Sequence, residues 1–137
     1  MALMEVNFFS KALMRPVTMN VILPVDKVFF GEETEEENKP FKTLYLLHGV
    51  MGNYTDWVTG TCIKRWAEEK NLAVVMPSGA NMFYMDHPNA NENYSEFIGK
   101  ELVKITRRMF PLSHKKEDTF IAVSYTHLRA HETPEHL

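Results

Sequence analysis

Residues 44–57 read Leu-Tyr-Leu-Leu-His-Gly-Val-Met-Gly-Asn-Tyr-Thr-Asp-Trp, a short apolar run that stops at His48-Gly49 and opens into a glycine-punctuated loop. An apolar run of this length bounded by turn residues predicts a strand buried on both faces, the habit of parallel sheets covered by helices. The loop then leaves the carboxyl end of a central strand, where open α/β sheets place their binding crevices. Gly49 and Gly52 admit backbone conformations that side chains forbid, so peptide N–H groups can turn toward a ligand. Inward N–H groups suit a developing oxyanion.

Working outward, two early strands are expected, Ala2–Ser10 and residues 14–23. The second alternates Val17, Met19, Val21 and Leu23 against Thr18, Asn20 and Ile22, a period of two that predicts one covered face near the edge of the sheet. Residues 31–40, Gly-Glu-Glu-Thr-Glu-Glu-Glu-Asn-Lys-Pro, are a charge run ending in proline and read as a solvated connector. Residues 55–70 carry Trp57, Ile63, Trp66 and Ala67 at helical spacings, followed by a buried strand at 72–76 and a turn at Ser78-Gly79-Ala80. Residues 93–110 predict a second helix with Phe97, Ile98, Leu102, Ile105 and Met109 on one face, stopped by Pro111. Strands alternating with helices give βαβ units and hence a parallel sheet.

Composition narrows the class. At 137 residues, 45% hydrophobic and 12% aromatic, the chain can bury one core of ordinary domain size, with no internal repeat. A net charge of −3 gives no electrostatic reason to expect nucleic acid or an anionic membrane. One cysteine, Cys62, excludes an internal disulfide framework, and its place within the expected helix predicts a buried, inert thiol. The amino terminus lacks a signal-peptide pattern, and no run approaches the roughly 18 apolar residues of a membrane span. A reducing cytoplasm is the expected location.

Taken in order, the strand-like 17–24, the loop at 44–57, Val74-Val75-Met76-Pro77, Asn81-Met82-Phe83-Tyr84 and the helix at 93–110 resemble the esterase D/S-formylglutathione hydrolase branch of the α/β-hydrolases and the small bacterial carboxylesterases near it. In those enzymes a strand ending LLHG precedes G-N-x-x-D-W. The resemblance covers about residues 4–122 and implies the amino-terminal half of an α/β-hydrolase fold, a mostly parallel sheet with helices on both faces. It implies a serine hydrolase acting on carboxylic esters or thioesters, without cofactor or metal, whose partner is a small-molecule ester or thioester.

The resemblance assigns to Val50 a backbone N–H in the oxyanion hole, with its side chain incidental; the bare residues also allow a plain strand-to-helix turn. His48 falls too early to be the triad base, which comes last in the order Ser, Asp/Glu, His, and reads as a structural histidine fixing the loop. Asn53, Asp56 and Trp57 either line the acyl pocket or cap the following helix, and capping is expected of Asp56. Phe83 and Tyr84 arrive near the same crevice, either walling a substrate site or covering the sheet. Adjacent Asp86 and His87 do not suit triad geometry.

In relatives of this kind the strand at 119–122 feeds a G-x-S-x-G nucleophile elbow. Here Val123-Ser124-Tyr125 follows, with no glycine through Leu137 and three histidines among the last eleven residues. Residues 123–137 resemble translated sequencing-adapter read-through, so the expected organisation is a partial α/β-hydrolase domain over 1–122 and a non-native tail. Ser124 then is not the nucleophile, the triad is absent from this chain, and the fragment itself is inactive. The run His131-Glu132-Thr133-Pro134-Glu135-His136 is one residue too long for H-E-x-x-H and is broken by proline, so it is not a metal site. Two alternatives stand beside the hydrolase: a non-catalytic protein of the same fold, and a nucleotide-binding α/β module, although Gly49-Val50-Met51-Gly52 fits neither G-x-G-x-x-G nor a P-loop.

Overall fold

The computed structural model describes residues 1–26, 39–49, 52–78, 86–87 and 92–123, with backbone alone at 86–87 and 92–93. Val50, Phe83, Tyr84, most of the acidic run and residues 124–137 lie outside the described residues.

Alternating side chains set the first hairpin. β1 (Ala2–Ser10) pairs antiparallel with β2 (Arg15–Leu23), from Ala2 opposite Leu23 to Ser10 opposite Arg15. The connecting turn holds Met14 at φ 53°, a left-handed conformation uncommon for a methionine. A distant carboxylate secures this turn. Glu101 accepts the Ser10 hydroxyl and the N–H groups of Lys11 (2.8 Å) and Ala12 (3.2 Å), while Leu13 N–H bonds to Ser10 Oγ at 3.1 Å.

β3 (Lys42–Leu47), β4 (Leu72–Pro77) and β7 (Thr119–Val123) complete a five-stranded sheet in the order β1-β2-β4-β3-β7. β2 meets β4 antiparallel, whereas β4, β3 and β7 run parallel to one another. The described edge strand on the amino-terminal side is therefore β1. β2 lies inside the sheet, and its residues from Met19 through Leu23 are buried on both faces, contrary to the one-sided edge strand expected from its alternation. Two short strands, β5 (Asp86–His87) and β6 (Glu92–Asn93), form a separate antiparallel pair absent from the sequence reading.

Helices cover both faces, as the buried side chains divide into two sets. On one face Val17, Met19, Val21, Tyr45, Leu47 and Val75 pack with Tyr94, Phe97, Ile98 and Leu102. On the other, Ile22, Leu46, Val74 and Met76 pack with Ile63 and Ala67. The helix expected over 55–70 is two helices, α1 (Asp56–Gly60) and α2 (Ile63–Glu69). The break follows Gly60, a poor helix former, and Thr61 takes extended backbone while its Oγ1 donates to Trp57 O at 2.5 Å and accepts Ile63 N–H at 3.2 Å. Cys62 consequently sits at the start of α2 and is exposed, not the buried thiol expected. Asn71, at φ 52°, ends α2 in the left-handed conformation that asparagine tolerates, and the chain enters β4 at once.

The helix expected over 93–110 is present but not uniform: α3 (Tyr94–Glu96) passes through a π-helical stretch, Phe97–Glu101, into α4 (Leu102–Met109). Phe97, Ile98 and Leu102 are buried as expected, with Tyr94 beside them, but beyond the wider turn the buried position is Thr106, and Met109 is exposed. Thr106 Oγ1 lies 2.8 Å from Leu102 O, a contact that takes its single proton, so the Tyr45 hydroxyl donates to it at 2.7 Å. This pair ties α4 to β3. Burial pushes the Tyr45 phenol above its ordinary value.

Candidate functional site

The parallel strands lie in the order β4-β3-β7, so the chain passes from β3 to one neighbour and later returns across β3 to the other. Such a reversal opens a crevice beyond the carboxyl ends of the strands. Register sharpens the location: Leu47 is opposite Val123, so β3 and β7 end level, with His48-Gly49 leaving at that rim.

The first turn of the loop is built around one carbonyl. Gly49 O accepts from His48 Nδ1 at 2.8 Å and from Gly52 N–H at 3.1 Å. His48 is buried, in keeping with a structural histidine that fixes the loop. Close approach favours glycine at position 52, since a Cβ there would displace the exposed Asp56 carboxylate and lie 3.1 Å from Gly49 O.

The following residues strap the loop to the sheet. Asn20, buried on β2, donates from Nδ2 to Tyr54 O at 3.3 Å, and the Tyr54 hydroxyl reaches Glu5 on β1 at 3.4 Å. Partial burial, then the Glu5 carboxylate, raise the Tyr54 phenol above its ordinary value. Asn53 Oδ1 accepts both the N–H of Thr55 (2.8 Å) and its hydroxyl (2.5 Å), so the turn into α1 is held by Asn53. Asp56, expected to cap, instead occupies the first turn of α1, and Thr55 at the cap position makes no side-chain cap bond. Trp57 Nε1 donates to Leu47 O at 3.0 Å, and the ring packs against the face that carries Leu46 and Ile63.

His48 and Asn53 thus lie on one loop, and Trp57 stands in the first turn of α1, which that loop enters. Val50, Phe83 and Tyr84 fall outside the described residues, as does Ser124. Asn20 and Tyr54 were missed by sequence reasoning, although an asparagine inside the apolar run Val17–Leu23 was the available sign of a buried polar contact. Among the described residues no group of three or more His, Cys, Asp or Glu could hold a metal, and no helix is long and apolar enough to cross a membrane.

Comparison with known proteins bears on this geometry. The Esterase family model, described as "Putative esterase", matches residues 10–123. An acetyl esterase of Caldicellulosiruptor saccharolyticus is 45% identical over 121 residues, which are 88% of this chain and 46% of that protein. The chain therefore spans about half the length of the curated relative it matches. Among solved structures, FphF, a fluorophosphonate-binding serine hydrolase of Staphylococcus aureus with substrate bound, is 37% identical with a TM-score of 0.70, covering 89% of this chain and 46% of that one. An S-formylglutathione hydrolase (FrmB) of Staphylococcus aureus, as apoenzyme, is 35% identical with a TM-score of 0.73 over 89% of this chain and 46% of its own.

Proposed function

Since the chain belongs to the esterase family, we propose that the whole protein is a serine hydrolase of small carboxylic esters or thioesters, and that this chain supplies the oxyanion half of its site. The observation that carries the reading is the doubly held Gly49 carbonyl at the carboxyl end of β3. Two hydrogen bonds hold Gly49 O at the rim, and the oxyanion donor is proposed to be the N–H that follows it in sequence, that of Val50. A donor of this kind stabilises the oxyanion of a tetrahedral intermediate.

The division of labour follows from chain order. In this fold the nucleophile, the acid and the base come in the order Ser, Asp/Glu, His, with the nucleophile just after the strand corresponding to β7. That strand ends level with Leu47, so a serine following it in the whole protein reaches its ester carbonyl beside the Val50 donor. The serine forms an acyl-enzyme that water then releases. Asn53, Trp57, Phe83 and Tyr84 are proposed to border the substrate. No cofactor enters this chemistry. A cytoplasmic location suits a chain with one cysteine, which is exposed.

The test is a hybrid in which residues 1–123 are joined to the carboxyl-terminal portion of the acetyl esterase. It should hydrolyse p-nitrophenyl acetate and react with a fluorophosphonate. Val50→Pro deletes the donor and should lower kcat about 10²–10³-fold relative to Val50→Ala, which keeps it. Equal kcat in the two, with equal thermal stability, would place the oxyanion hole elsewhere.

A further inference from the structure

Among the described residues β1 pairs with β2 alone, through Ala2–Ser10 without a bulge. Which of its backbone groups face the open side follows from β2. Ser78 N–H donates to Thr18 O at 3.3 Å, so Thr18, Asn20 and Ile22 turn their N–H and C=O toward β4, whereas Val17, Met19, Val21 and Leu23 turn theirs toward β1. Pro77, with no N–H to give, accordingly lies opposite Met19. Ala2, Met4, Val6 and Phe8 are the partners of those odd-numbered residues and direct their own groups at β2. Leu3, Glu5, Asn7 and Phe9 therefore present N–H and C=O along the open edge. Their side chains are exposed as well, Leu3 at 43% and Phe9 at 56%. Edges of this length are commonly blunted by lysine, proline or a bulge. β1 has none of these, and its one charge is Glu5.

We propose that β1 is a dimerisation edge, pairing antiparallel with β1 of a second copy of this chain about a two-fold axis at Val6. The proposal goes beyond the esterase reading and does not depend on it. Three registers pair the outward residues, centred on Glu5, Val6 or Asn7. Centring on Glu5 sets two carboxylates face to face, and centring on Asn7 sets Glu5 against the partner's Phe9 and leaves Leu3 with no opposite residue in the strand. Only the register centred on Val6 engages all the outward groups: Leu3 lies opposite the partner's Phe9, and Glu5 opposite the partner's Asn7. Apolar pairs then flank polar ones, the self-complementary pattern that a two-fold interface requires. Asn7 is oriented for its part. Its Oδ1 accepts the Thr18 hydroxyl at 2.6 Å, so the Nδ2 branch of the amide is turned away from β2, toward the edge where the partner's Glu5 would stand. Glu5 is steadied in turn by the Tyr54 hydroxyl at 3.4 Å, so the strap between the loop and the sheet ends at this interface.

The test uses the hybrid, because the 137-residue chain also exposes β7. Analytical ultracentrifugation should show a dimer. Asn7 is exposed, so its variants leave the core intact. Asn7→Glu sets like charges opposite Glu5 twice per dimer and should raise the dimer Kd about 3- to 30-fold, whereas Asn7→Lys should lower it, by about the same factor or less. Register is read by oxidation in a Cys62→Ser background, which removes the exposed native thiol. Leu3→Cys chains mixed with Phe9→Cys chains should link to one another, since opposite residues stand about 5.5 Å apart between Cα atoms, within disulfide range, and neither variant alone should link to itself. These readouts stand whether or not the hybrid hydrolyses esters. A hybrid that stays monomeric at its highest soluble concentration overturns the proposal. So does a dimer whose Kd Asn7→Glu leaves unchanged, or one in which the mixed disulfide forms no faster than the like ones, because the contact then lies on another surface. Weakening by Asn7→Glu and Asn7→Lys alike overturns it too, since position 7 then does not face Glu5.

Discussion

Glu101→Ala should destabilise the protein by about 2–4 kcal/mol, through a turn 91 residues away in sequence. The carboxylate binds three donors at the β1–β2 turn, and their burial decides the magnitude. Lys11 is exposed and Ala12 partly so, and their N–H groups regain water when the carboxylate is removed. Ser10 is fully buried; its oxygen still accepts from Leu13, but its proton loses its acceptor, which costs about 1–3 kcal/mol by itself. Loss of the two charge-assisted bonds adds the remainder, while the better helix propensity of alanine returns only a few tenths. Glu101→Gln retains one acceptor oxygen and should fall between the two. Chemical denaturation of the hybrid measures both, with amide exchange at Lys11 and Ala12 reporting the turn directly. A Glu101→Ala variant within about 0.5 kcal/mol of the parent, and with unaltered exchange at those amides, would refute the idea that this carboxylate holds the hairpin.

Two further outcomes are expected. Burial holds the Tyr45 phenol above its ordinary 10.0, so stability linked to the protonated phenol is complete below pH 10 and declines as pH rises through the folded value. Tyr45→Phe should therefore lose about 1 kcal/mol at pH 7 and show a shallower decline above pH 10; equal slopes for the two proteins in denaturation between pH 8 and 11 would contradict this. Among the described residues β7 pairs only with β3, and its Phe120 and Ile121 are 47% and 52% exposed. The 137-residue chain should then self-associate through this edge, and Ile121→Lys should shift light scattering toward monomer; a monodisperse parent chain would argue otherwise.

Where hydrophobic period and chain punctuation carried the information, the fold was legible. β1 spans the residues expected, and β3 ends at the His48-Gly49 boundary that the apolar run announced. The helices were harder, because a period of 3.6 assumes that every turn is alike. One π-helical stretch moved Thr106 inside and Met109 outside, and one glycine with a threonine split 55–70 and exposed Cys62. The status of β2 depended on a neighbour, β4, that follows it by dozens of residues, and alternation within a strand does not report who lies beside it. At the site, the loop and the structural role of His48 were readable, since glycine spacing and chain order are local facts. The bonds from Asn20 to Tyr54 and from Trp57 to Leu47 were not, because a side-chain donor that serves a distant carbonyl leaves no spacing to recognise.

The strand order has a consequence in time. β1 and β2 are joined by a short turn and can pair as soon as both exist, whereas β3 is flanked by β4 and β7, the strands made after it. During synthesis, at about 5–20 residues per second, this central strand leaves the ribosome seconds before its second neighbour. For that interval the run 44–47 has only its ladder to β4, and the loop that follows it has no β7 rim to face. Chaperone demand should therefore concentrate on this interval, and a pause placed between the codons of β4 and β7 should lower soluble yield more than one placed within the β1–β2 hairpin.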